Sequence, residues 1–499
     1  MFWVVALSGV LSCGGSNDAA SASVPGDPLV GEMGDSWDPD GQANTADRDE
    51  GDDDNAPADL VTPTDPTLNA DADPPPADLE IEPLPSSKGW DWVRSNPLFL
   101  SGLVVSMTEP PASWVHDYFD GFGANAVHLW ATGLPDEVAD WQAARPEAPW
   151  VVWTQANGTS AANGLLAGGL DENPPGRIGY QVGDEPGNEE AYQATTIGVA
   201  ALREHDPEAL LILNFLGAGD MRERCASNLD FDIFSYDDYS RDKSSYRSLA
   251  EARAAGLRFN KPYWRYLNAY TNADMGNEHE ESDQRWDAFS GLVFGFTGHT
   301  WFLYQVLPTH DLFPITFATN GDYNVEKTAH WNMLAQINRE LLNLGRPITQ
   351  LISTDVRFVP GISLLTPDGL NEWAPGAGDD PYIKRIAGAS GEFLLQLLVG
   401  YFRDARGATY VMIQNVRHAN GSWPSDSSST GQVVVEFDFS QAPAGFNRAA
   451  LLGLDKLDGQ VKTLPLFGSG ERRTLDITLA AGDPVFFKYD DGRPYVQGR

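Results

Sequence analysis

Short apolar runs alternate with longer amphipathic runs along the chain between Trp90 and Gln350. The short runs are rich in β-branched and aromatic residues, which predicts strands, whereas the longer runs have the apolar spacing of helices. We predict strands at 99–106, 124–130, 150–155, 178–183, 210–215, 231–236, 262–270 and 300–306. The predicted helices include 112–122, 136–145, 189–205, 246–255, 283–296 and 326–343. Eight strand–helix units in roughly 260 residues favour an α/β fold, a (β/α)8 TIM barrel over residues 88–350.

The helical spacing disappears after Gln350, and short β-type runs separated by turn residues take its place. We predict strands at 353–358, 393–403, 409–415, 432–439, 449–454, 474–479 and 484–489. Their spacing is typical of a sandwich of two sheets. We therefore expect residues 351–499 to form a C-terminal β-sandwich.

Residues 14–87 show neither pattern. Large apolar residues are rare in this stretch, and nineteen acidic residues stand against one basic residue, Arg48. Such a composition cannot bury enough apolar surface to offset the entropy of ordering, and the prolines at 74–76 keep the chain extended. We predict a disordered acidic linker.

The first thirteen residues consist of an apolar run followed by Leu11-Ser12-Cys13-Gly14. This stretch resembles a bacterial lipoprotein signal peptide, although no Lys or Arg precedes the apolar run. The resemblance implies that Cys13 carries lipid and that the protein is extracytoplasmic, anchored at the outer membrane or the cell surface. The run is too short to span a bilayer, so we expect membrane attachment through the lipid only.

Composition limits the choice of partner. A net charge of -38 leaves nothing to neutralise phosphates, which argues against nucleic acid. The 15 tryptophans suit a carbohydrate substrate, because flat rings stack on sugar faces. No glycine-rich phosphate-binding sequence follows the first predicted strand, and the histidines have no zinc-ligand spacing. We therefore expect no cofactor, no metal and a monomer.

Candidate chemistry concentrates where the fourth predicted strand ends. Ile178, Tyr180 and Val182 alternate along that strand, which then stops at Asp184-Glu185 and a proline. Adjacent carboxylates raise each other's pKa and can supply a proton donor near neutral pH, as glycosidic bond cleavage requires. The alternative is that Asp184 caps the following helix and Glu185 is a solvated acid in its first turn.

A carboxylate at the end of the fourth strand resembles the acid/base residue of (β/α)8-barrel glycoside hydrolases. The chain departs from their common pattern because the motif is Asp-Glu rather than Asn-Glu, and because the seventh strand, 262–270, has no carboxylate. Asp-Glu-Pro is similar to substrate-assisted β-N-acetylhexosaminidases, with the β-N-acetylgalactosaminidase family as nearest. This resemblance implies that Glu185 is the general acid/base and that Asp184 orients the substrate's acetamido group. A tyrosine such as Tyr236 or Tyr270 would then bind the acetamido oxygen.

Two other functions stay open. Asp237 or Asp238, after the sixth strand, could serve as a second carboxylate facing Glu185, with a separation of about 5 Å for retention or about 6.5–9.5 Å for inversion. The same two residues could instead form a turn, and the protein could be a non-catalytic carbohydrate-binding lipoprotein. We expect substrate contacts from residues at or near strand ends: Glu109, His128, Trp130, Trp153, Gln155, Asn214, Tyr236, Trp264, Tyr266, Asn268, Tyr270, Trp301 and Tyr304. The sequence thus predicts a glycoside hydrolase acting on a poly- or oligosaccharide at the cell envelope.

Overall fold

The fold is that of a computed structural model. It describes residues 83–105, 112–130, 141–154, 176–216, 219–241, 243–272, 279–305, 312–318, 326–361, 365–390, 393–419 and 430–499. The strands of the first part of the chain are β1 Phe99–Val105, β2 Val127–Trp130, β3 Trp150–Thr154, β4 Arg177–Asp184, β5 Leu210–Leu216, β6 Ile233–Asp237, β7 Trp264–Asn268, β8 Tyr270–Asn272, β9 Gly298–Gln305, β10 Leu312–Pro314, β11 Phe317–Ala318 and β12 Glu326–Lys327.

Eight of these strands form one parallel sheet in the order β6-β5-β4-β3-β2-β1-β9-β7. The two outer strands meet through a parallel bridge between Phe234 and Tyr263, with the Phe234 amide donating to the carbonyl of Pro262 at 3.0 Å. The sheet is thereby nearly closed into a barrel. Each of the eight predicted barrel strands overlaps one of these strands, which confirms the predicted parallel barrel.

Helices accompany the barrel strands: α1 Lys88–Ser95, α2 Ala112–His116, α3 Glu189–His205, α4 Asp220–Asn228, α5 Lys243–Arg258, α6 Glu281–Phe294 and α7 Ala329–Ile348. A π-helical turn, Asp117–Gly121, continues α2. Among the helices of the described ranges, none is both long and apolar enough to cross a bilayer. The sequence predicted that α7 would stop before Pro347, but the helix includes this proline in its last turn. Proline there removes only one backbone donor, and the amides of Thr349 and Gln350 still bond to carbonyls of that turn.

Side chains that point into the barrel fill it in layers. At the amino-terminal end, the rings of Phe99 and Trp264 stack with centroids 4.3 Å apart, and Trp92 of α1 packs below them. Above this apolar floor lie polar interior side chains such as Ser101, whose hydroxyl lies 2.9 Å from that of Thr300. These polar side chains lie toward the carboxyl ends of the strands, the end at which barrels of parallel strands carry their functional chemistry.

Two sheets follow the barrel. Their strands are β13 Ile352–Val359, β14 Asn371–Glu372, β15 Ile383–Ser390, β16 Phe393–Leu394, β17 Leu397–Arg403, β18 Thr409–Asn415, β19 Gly431–Asp438, β20 Ala450–Leu454, β21 Val461–Pro465, β22 Arg472–Leu479 and β23 Pro484–Tyr489. A seven-stranded sheet has the order β14-β13-β17-β18-β23-β20-β21, and a four-stranded sheet has the order β16-β15-β19-β22. One apolar cluster includes side chains from both sheets, such as Val411 and Val435.

The seven-stranded sheet packs against α6, which is buried along almost its whole length. Arg285 of α6 joins the two parts of the chain, because its guanidinium lies 2.6 Å from a carboxylate oxygen of Glu340 and 2.9 Å from one of Asp483. Lys456 contacts the same two carboxylates. Charged pairs as well as apolar contacts therefore fix α6 between the barrel and the seven-stranded sheet.

Candidate active site

A bulge at the end of β4 turns Asp184 into the barrel. Opposite β5, Gln181 pairs with Ile212 and Asp184 pairs with Asn214, so β4 has one extra residue in this interval. Gly183 permits the bulge, because its φ is +79° and a Cβ there would lie 2.7 Å from the Thr195 hydroxyl. Without the extra residue, Asp184 would face outward while Gln181 faced the interior.

Glu185 follows with a φ of +43°, which is rare for a residue with a side chain. Its amide donates to the carbonyl of Asn214 at 3.0 Å, which ties this turn to β5. Backbone strain of this kind persists where the surrounding structure imposes it, and such sites are often functional. The helix-capping alternative for this pair is wrong, because Asn188 caps α3 by accepting a hydrogen bond from the Ala191 amide at 2.9 Å.

The two aspartates at the end of β6 have different environments. Asp237 is the last residue of β6 and is 6% exposed. Asp238 leaves the barrel and accepts hydrogen bonds from the amide of Ser240 at 2.9 Å and from the Tyr236 hydroxyl at 2.9 Å. Asp238 therefore forms the predicted turn, whereas Asp237 faces Asp184 and Glu185.

Asp184, Glu185 and Asp237 form one carboxyl cluster. Burial, together with the charge of Glu185, raises the pKa of Asp184 to about 7, although the hydrogen bond from Asn214 opposes this shift. More than a third of the Asp184 side chain is open to solvent, so this carboxyl lies at the cleft surface within a largely enclosed site. Burial, followed by the charges of Glu185 and Asp184, raises the pKa of Asp237 well above its usual value. Near neutral pH the carboxyl cluster therefore holds protons that isolated carboxyl groups would release.

Uncharged side chains orient Asp184 from below. The Asn214 side-chain amide donates to its Oδ1 at 2.9 Å, and the Gln181 amide lies 3.4 Å from the same oxygen. The Tyr266 hydroxyl donates to Oε1 of Gln181 at 2.6 Å and lies 3.4 Å from Nδ1 of His128. Burial lowers the pKa of His128 to about 3, so its ring is neutral. Three of the predicted contact residues, His128, Asn214 and Tyr266, thus lie directly beneath the carboxyl cluster.

The end of β7 is held by a buried charged network. Asp287 of α6 pairs with Arg265 at 2.5 Å and with Arg241 at 3.6 Å, and it accepts the Asn268 amide at 3.1 Å. The side-chain oxygen of Asn268 in turn accepts the Tyr270 amide at 3.1 Å. The only carboxylate of this network, Asp287, belongs to α6. No residue of β7 therefore adds a carboxylate to the carboxyl cluster, in agreement with the absence of an acid from this strand in the sequence.

An aromatic wall lies at the same end of the barrel. Leu103, Trp153, Tyr270 and Leu303 form one apolar cluster, against which Tyr239 and Phe302 pack. The rings of Tyr239 and Phe302 are nearly parallel, with centroids 5.8 Å apart, and Tyr270 meets both rings edge-on. Trp153 and Tyr270 were predicted as contacts, whereas Tyr239 and Phe302 were not. The sequence signal for Tyr239 is its position two residues after Asp237, on the loop that follows a strand.

Four predicted contacts lie elsewhere in the structure. Trp264 is on the barrel floor, stacked on Phe99. The indole of Trp301 donates to Asn338 of α7 at 2.7 Å, and the Tyr304 hydroxyl accepts from Trp331 of the same helix at 3.1 Å. Tyr236 packs in the main core, with its ring 6.5 Å from that of Phe296, so it does not take the role proposed for a strand-end tyrosine. The prediction assigns all strand-end residues to one surface, but alternate residues of a barrel strand point outward to the helices.

Some predicted residues are not covered by this description. Cys13, Glu109 and Gln155 lie outside the described residues, and Trp130 is the last residue of β2. Within the described ranges, no group of three or more His, Cys, Asp or Glu residues is arranged to hold a metal ion.

No family model and no curated protein matches this chain. Among solved structures, a protein described as a glycoside hydrolase is similar at 12% sequence identity and a TM-score of 0.49, over 80% of this chain and 94% of that one. A family 5 glycoside hydrolase from Bacteroides vulgatus is similar at 14% identity and a TM-score of 0.49, over 80% and 90% of the two chains. A GH30 endoxylanase from Clostridium papyrosolvens is similar at 8% identity and a TM-score of 0.41, over 79% and 97%. At these identities, function has to be argued from the site itself.

Proposed function

We propose that this protein is a glycoside hydrolase acting on an oligo- or polysaccharide, with Glu185 as the general acid/base and Asp184 as the group that orients a 2-acetamido substituent. The observation that carries the proposal is the meeting of three carboxyl groups, Asp184, Glu185 and Asp237, at the carboxyl end of the barrel. Glycosidic cleavage needs a carboxylic acid that is still protonated near neutral pH. Burial and mutual repulsion raise the pKa of Asp184 and that of Asp237, so the carboxyl cluster holds protons near neutral pH.

The absence of a carboxylate at the end of β7 supports substrate assistance. Among the described residues of that strand end, Tyr266, Asn268 and Tyr270 offer hydroxyl and amide groups only. A substrate whose own acetamido oxygen attacks the anomeric carbon needs no protein nucleophile. The aromatic wall offers the partly exposed rings of Tyr239 and Phe302, on which a sugar ring can stack, with the buried rings of Trp153 and Tyr270 behind them.

The proposed steps assign one task to Glu185 and another to Asp184. Glu185 gives its proton to the glycosidic oxygen while the acetamido oxygen bonds to the anomeric carbon, so the leaving alcohol departs and a cyclic oxazolinium forms. Asp184 accepts the acetamido N–H and balances the positive charge of that intermediate. Its Oδ1 is already bonded to Asn214, and no described protein donor binds Oδ2. Water then attacks the anomeric carbon while Glu185 takes one of its protons, and the bond between that carbon and the acetamido oxygen breaks, which restores the acetamido group and the protonated Glu185.

The second candidate is a two-carboxylate glycosidase in which Asp237 works with Glu185. Its burial inside the barrel, facing β4, favours Asp237 over Asp238 for that role. However, burial and the charges of Glu185 and Asp184 raise the pKa of Asp237 well above its usual value. A carboxyl nucleophile has to be ionised, and these surroundings favour the protonated form of Asp237. We therefore assign Asp237 to holding a proton within the carboxyl cluster rather than to attack.

A panel of aryl glycosides with and without a 2-acetamido group tests the proposal. We expect cleavage by the full chain to be confined to acetamido sugars and to be lost in Asp184→Asn, with Asp238→Asn as the neighbouring control that keeps activity. Equal cleavage of plain glycosides would transfer the second role to Asp237. A protein that binds these sugars but cleaves none, with the same affinity in Glu185→Gln, would be a carbohydrate-binding protein instead.

We also propose that the protein works at the bacterial cell envelope, anchored by lipid on Cys13 with residues 14–87 as a spacer. The support is the resemblance of residues 1–13 to a lipoprotein signal and the acidic composition that follows. Incorporation of a labelled fatty acid by the expressed chain, and its loss in Cys13→Ser, would support this anchor. Equal labelling of both chains would refute it.

A further inference from the structure

Four side chains cross the barrel at and beneath the carboxyl cluster in an unbroken line. Asp184, Gln181, Tyr266 and His128 come from β4, β7 and β2, and each contacts the next through polar atoms. Gln181, Tyr266 and His128 are between 0% and 3% exposed. A buried polar chain of this kind is costly unless its members satisfy one another, so its direction of donation has consequences.

The shortest contact fixes that direction. The Tyr266 hydroxyl lies 2.6 Å from Oε1 of Gln181, and burial raises the pKa of Tyr266, so the phenol keeps its proton and donates. The acceptor end of the Gln181 amide is thereby occupied. Its donor end, Nε2, must then point at Oδ1 of Asp184, 3.4 Å away. In this arrangement the amide donates to Asp184 and does not accept from it, which favours the ionised carboxylate.

His128 completes the line at the other side of the barrel. Its ring is neutral, its Nδ1 lies 3.4 Å from the Tyr266 oxygen, and its Nε2 is buried without a hydrogen-bond partner among the described residues. A proton on Nδ1 would donate to Tyr266 and leave Nε2 as an unpaired acceptor, the less costly group to bury. Every donor in the line would then point toward Asp184.

Donation in the opposite direction along the line would require several groups to reorient together. A protonated Asp184 could donate to Gln181 only if the amide rotated by half a turn, which would break the bond from Tyr266. Tyr266 would then have to donate to His128, whose proton would move to the partnerless Nε2. The amide orientation, the phenol and the histidine tautomer are therefore coupled to the protonation of Asp184.

We propose that Gln181 is a positioning residue that holds Asp184 as an oriented carboxylate, with Tyr266 and His128 fixing the direction of the Gln181 amide from behind. This inference rests on the proposed function, in which an ionised Asp184 must receive an acetamido N–H and balance a cation. The other titratable groups that influence Asp184 are Glu185, Asp237 and Tyr239, and all of them oppose its ionisation or are neutral. The Asn214 amide, 2.9 Å from Oδ1, counters them, and the Gln181 amide lies 3.4 Å from the same oxygen.

The first test is the pH dependence of kcat on an acetamido glycoside for Gln181→Leu and Tyr266→Phe, with Thr300→Val as a control. Thr300→Val removes a hydroxyl from the same polar interior, the partner of Ser101, but leaves the line intact. In the pH profile of kcat, one limb reports the ionisation of Asp184. We expect this limb to move to higher pH by about one unit in Gln181→Leu, which is equivalent to the loss of one hydrogen bond to a charged group. KM should change much less than kcat near neutral pH. An unmoved limb in both variants, or an equal movement in Thr300→Val, would overturn the proposal.

The double variant gives a sharper result. Because Tyr266 acts on Asp184 through Gln181, Gln181→Leu combined with Tyr266→Phe should shift the limb no further than Gln181→Leu alone. Additive shifts would mean that Tyr266 acts independently, and they would overturn the ordered line. Tyr266→Phe removes a single oxygen, so it carries the test if Gln181→Leu fails to fold.

A thermal measurement separates this proposal from the glycosidase assignment. The folded-state pKa of Asp184 is raised from 3.8 to about 7, so its contribution to stability is present at acid pH and lost as pH rises across that window. In Gln181→Leu the loss of stability that is due to Asp184 should extend to higher pH. In Asp184→Asn that part of the loss should vanish. This outcome without hydrolysis of any glycoside would support the positioning line and refute the proposed function. Identical melting profiles for the wild type and Gln181→Leu would refute the positioning line.

Discussion

Replacing Asp237 by asparagine should make the folded protein less sensitive to rising pH. Asp237 is 6% exposed and faces Glu185 and Asp184 across the barrel interior. Burial and these two charges raise its pKa well above the usual value of 3.8. In the unfolded chain the same carboxyl is solvated and ionises normally.

The sign and size of the effect follow from proton linkage. A group whose pKa is raised by folding stabilises the native state at acid pH, and this contribution is lost as pH rises through the folded pKa. One carboxyl that keeps its proton only in the folded state contributes up to ~1.4 kcal/mol per pH unit. This slope applies over the pH range, above the usual pKa of 3.8, in which Asp237 is still protonated in the folded protein but ionised in the unfolded chain. An asparagine side chain has the same shape but no proton to release, so Asp237→Asn should remove this loss of stability.

Urea unfolding at about pH 5, 6 and 7, followed by tryptophan fluorescence, measures the difference directly across the window in which the linkage acts. Asp238→Asn is the matched control, because the adjacent carboxyl lies outside the carboxyl cluster and binds Ser240. We expect the wild type and the control to lose stability in parallel as pH rises, and Asp237→Asn to lose less. Parallel curves for all three proteins would mean that Asp237 is not held protonated, and the account of the carboxyl cluster would fail.

Three further substitutions test the packing around the site. Arg285→Met should lower the free energy of unfolding by up to about 3–5 kcal/mol in urea, because Glu340 and Asp483 would then share only one cation, Lys456. Trp264→Ala should cost about 3–5 kcal/mol as a core truncation while leaving KM unchanged in the folded fraction, since its ring lies on the barrel floor. Trp153→Ala should instead raise KM, since its ring belongs to the aromatic wall beside the carboxyl cluster. A raised KM in Trp264→Ala would contradict the placement of that ring.

The barrel could be predicted because its signal is long and periodic. Eight apolar runs alternate with helical runs, and each predicted strand overlaps a strand of the sheet. Local details, such as the end of a helix, were harder to predict from the sequence. The proline at 347 predicted the end of a helix, yet the helix continues through it, because a last turn tolerates the loss of one donor.

Side-chain direction explains most of the differences at the site. Asp237 has the same parity along its strand as Ile233, whereas Tyr236 has the opposite parity, so the period of two could have separated the barrel interior from the helix layer. The same rule could not place Asp184, because the bulge at Gly183 shifts the register by one residue. The sequence also does not show how far along the barrel axis a side chain lies. Trp264 points inward like Tyr266, but it lies on the barrel floor.

The most direct test of the central claim compares leaving groups. For the full chain and Glu185→Gln, kcat/KM would be measured on two acetamido glycosides that differ only in the leaving group, a nitrophenol and a simple alcohol. A general acid matters most when the departing oxygen is a poor leaving group, so we expect a loss of about 10²–10⁴-fold on the alcohol and a much smaller loss on the nitrophenol. Equal losses on both substrates, or no loss on either, would contradict the assignment of Glu185 as the group that protonates the glycosidic oxygen.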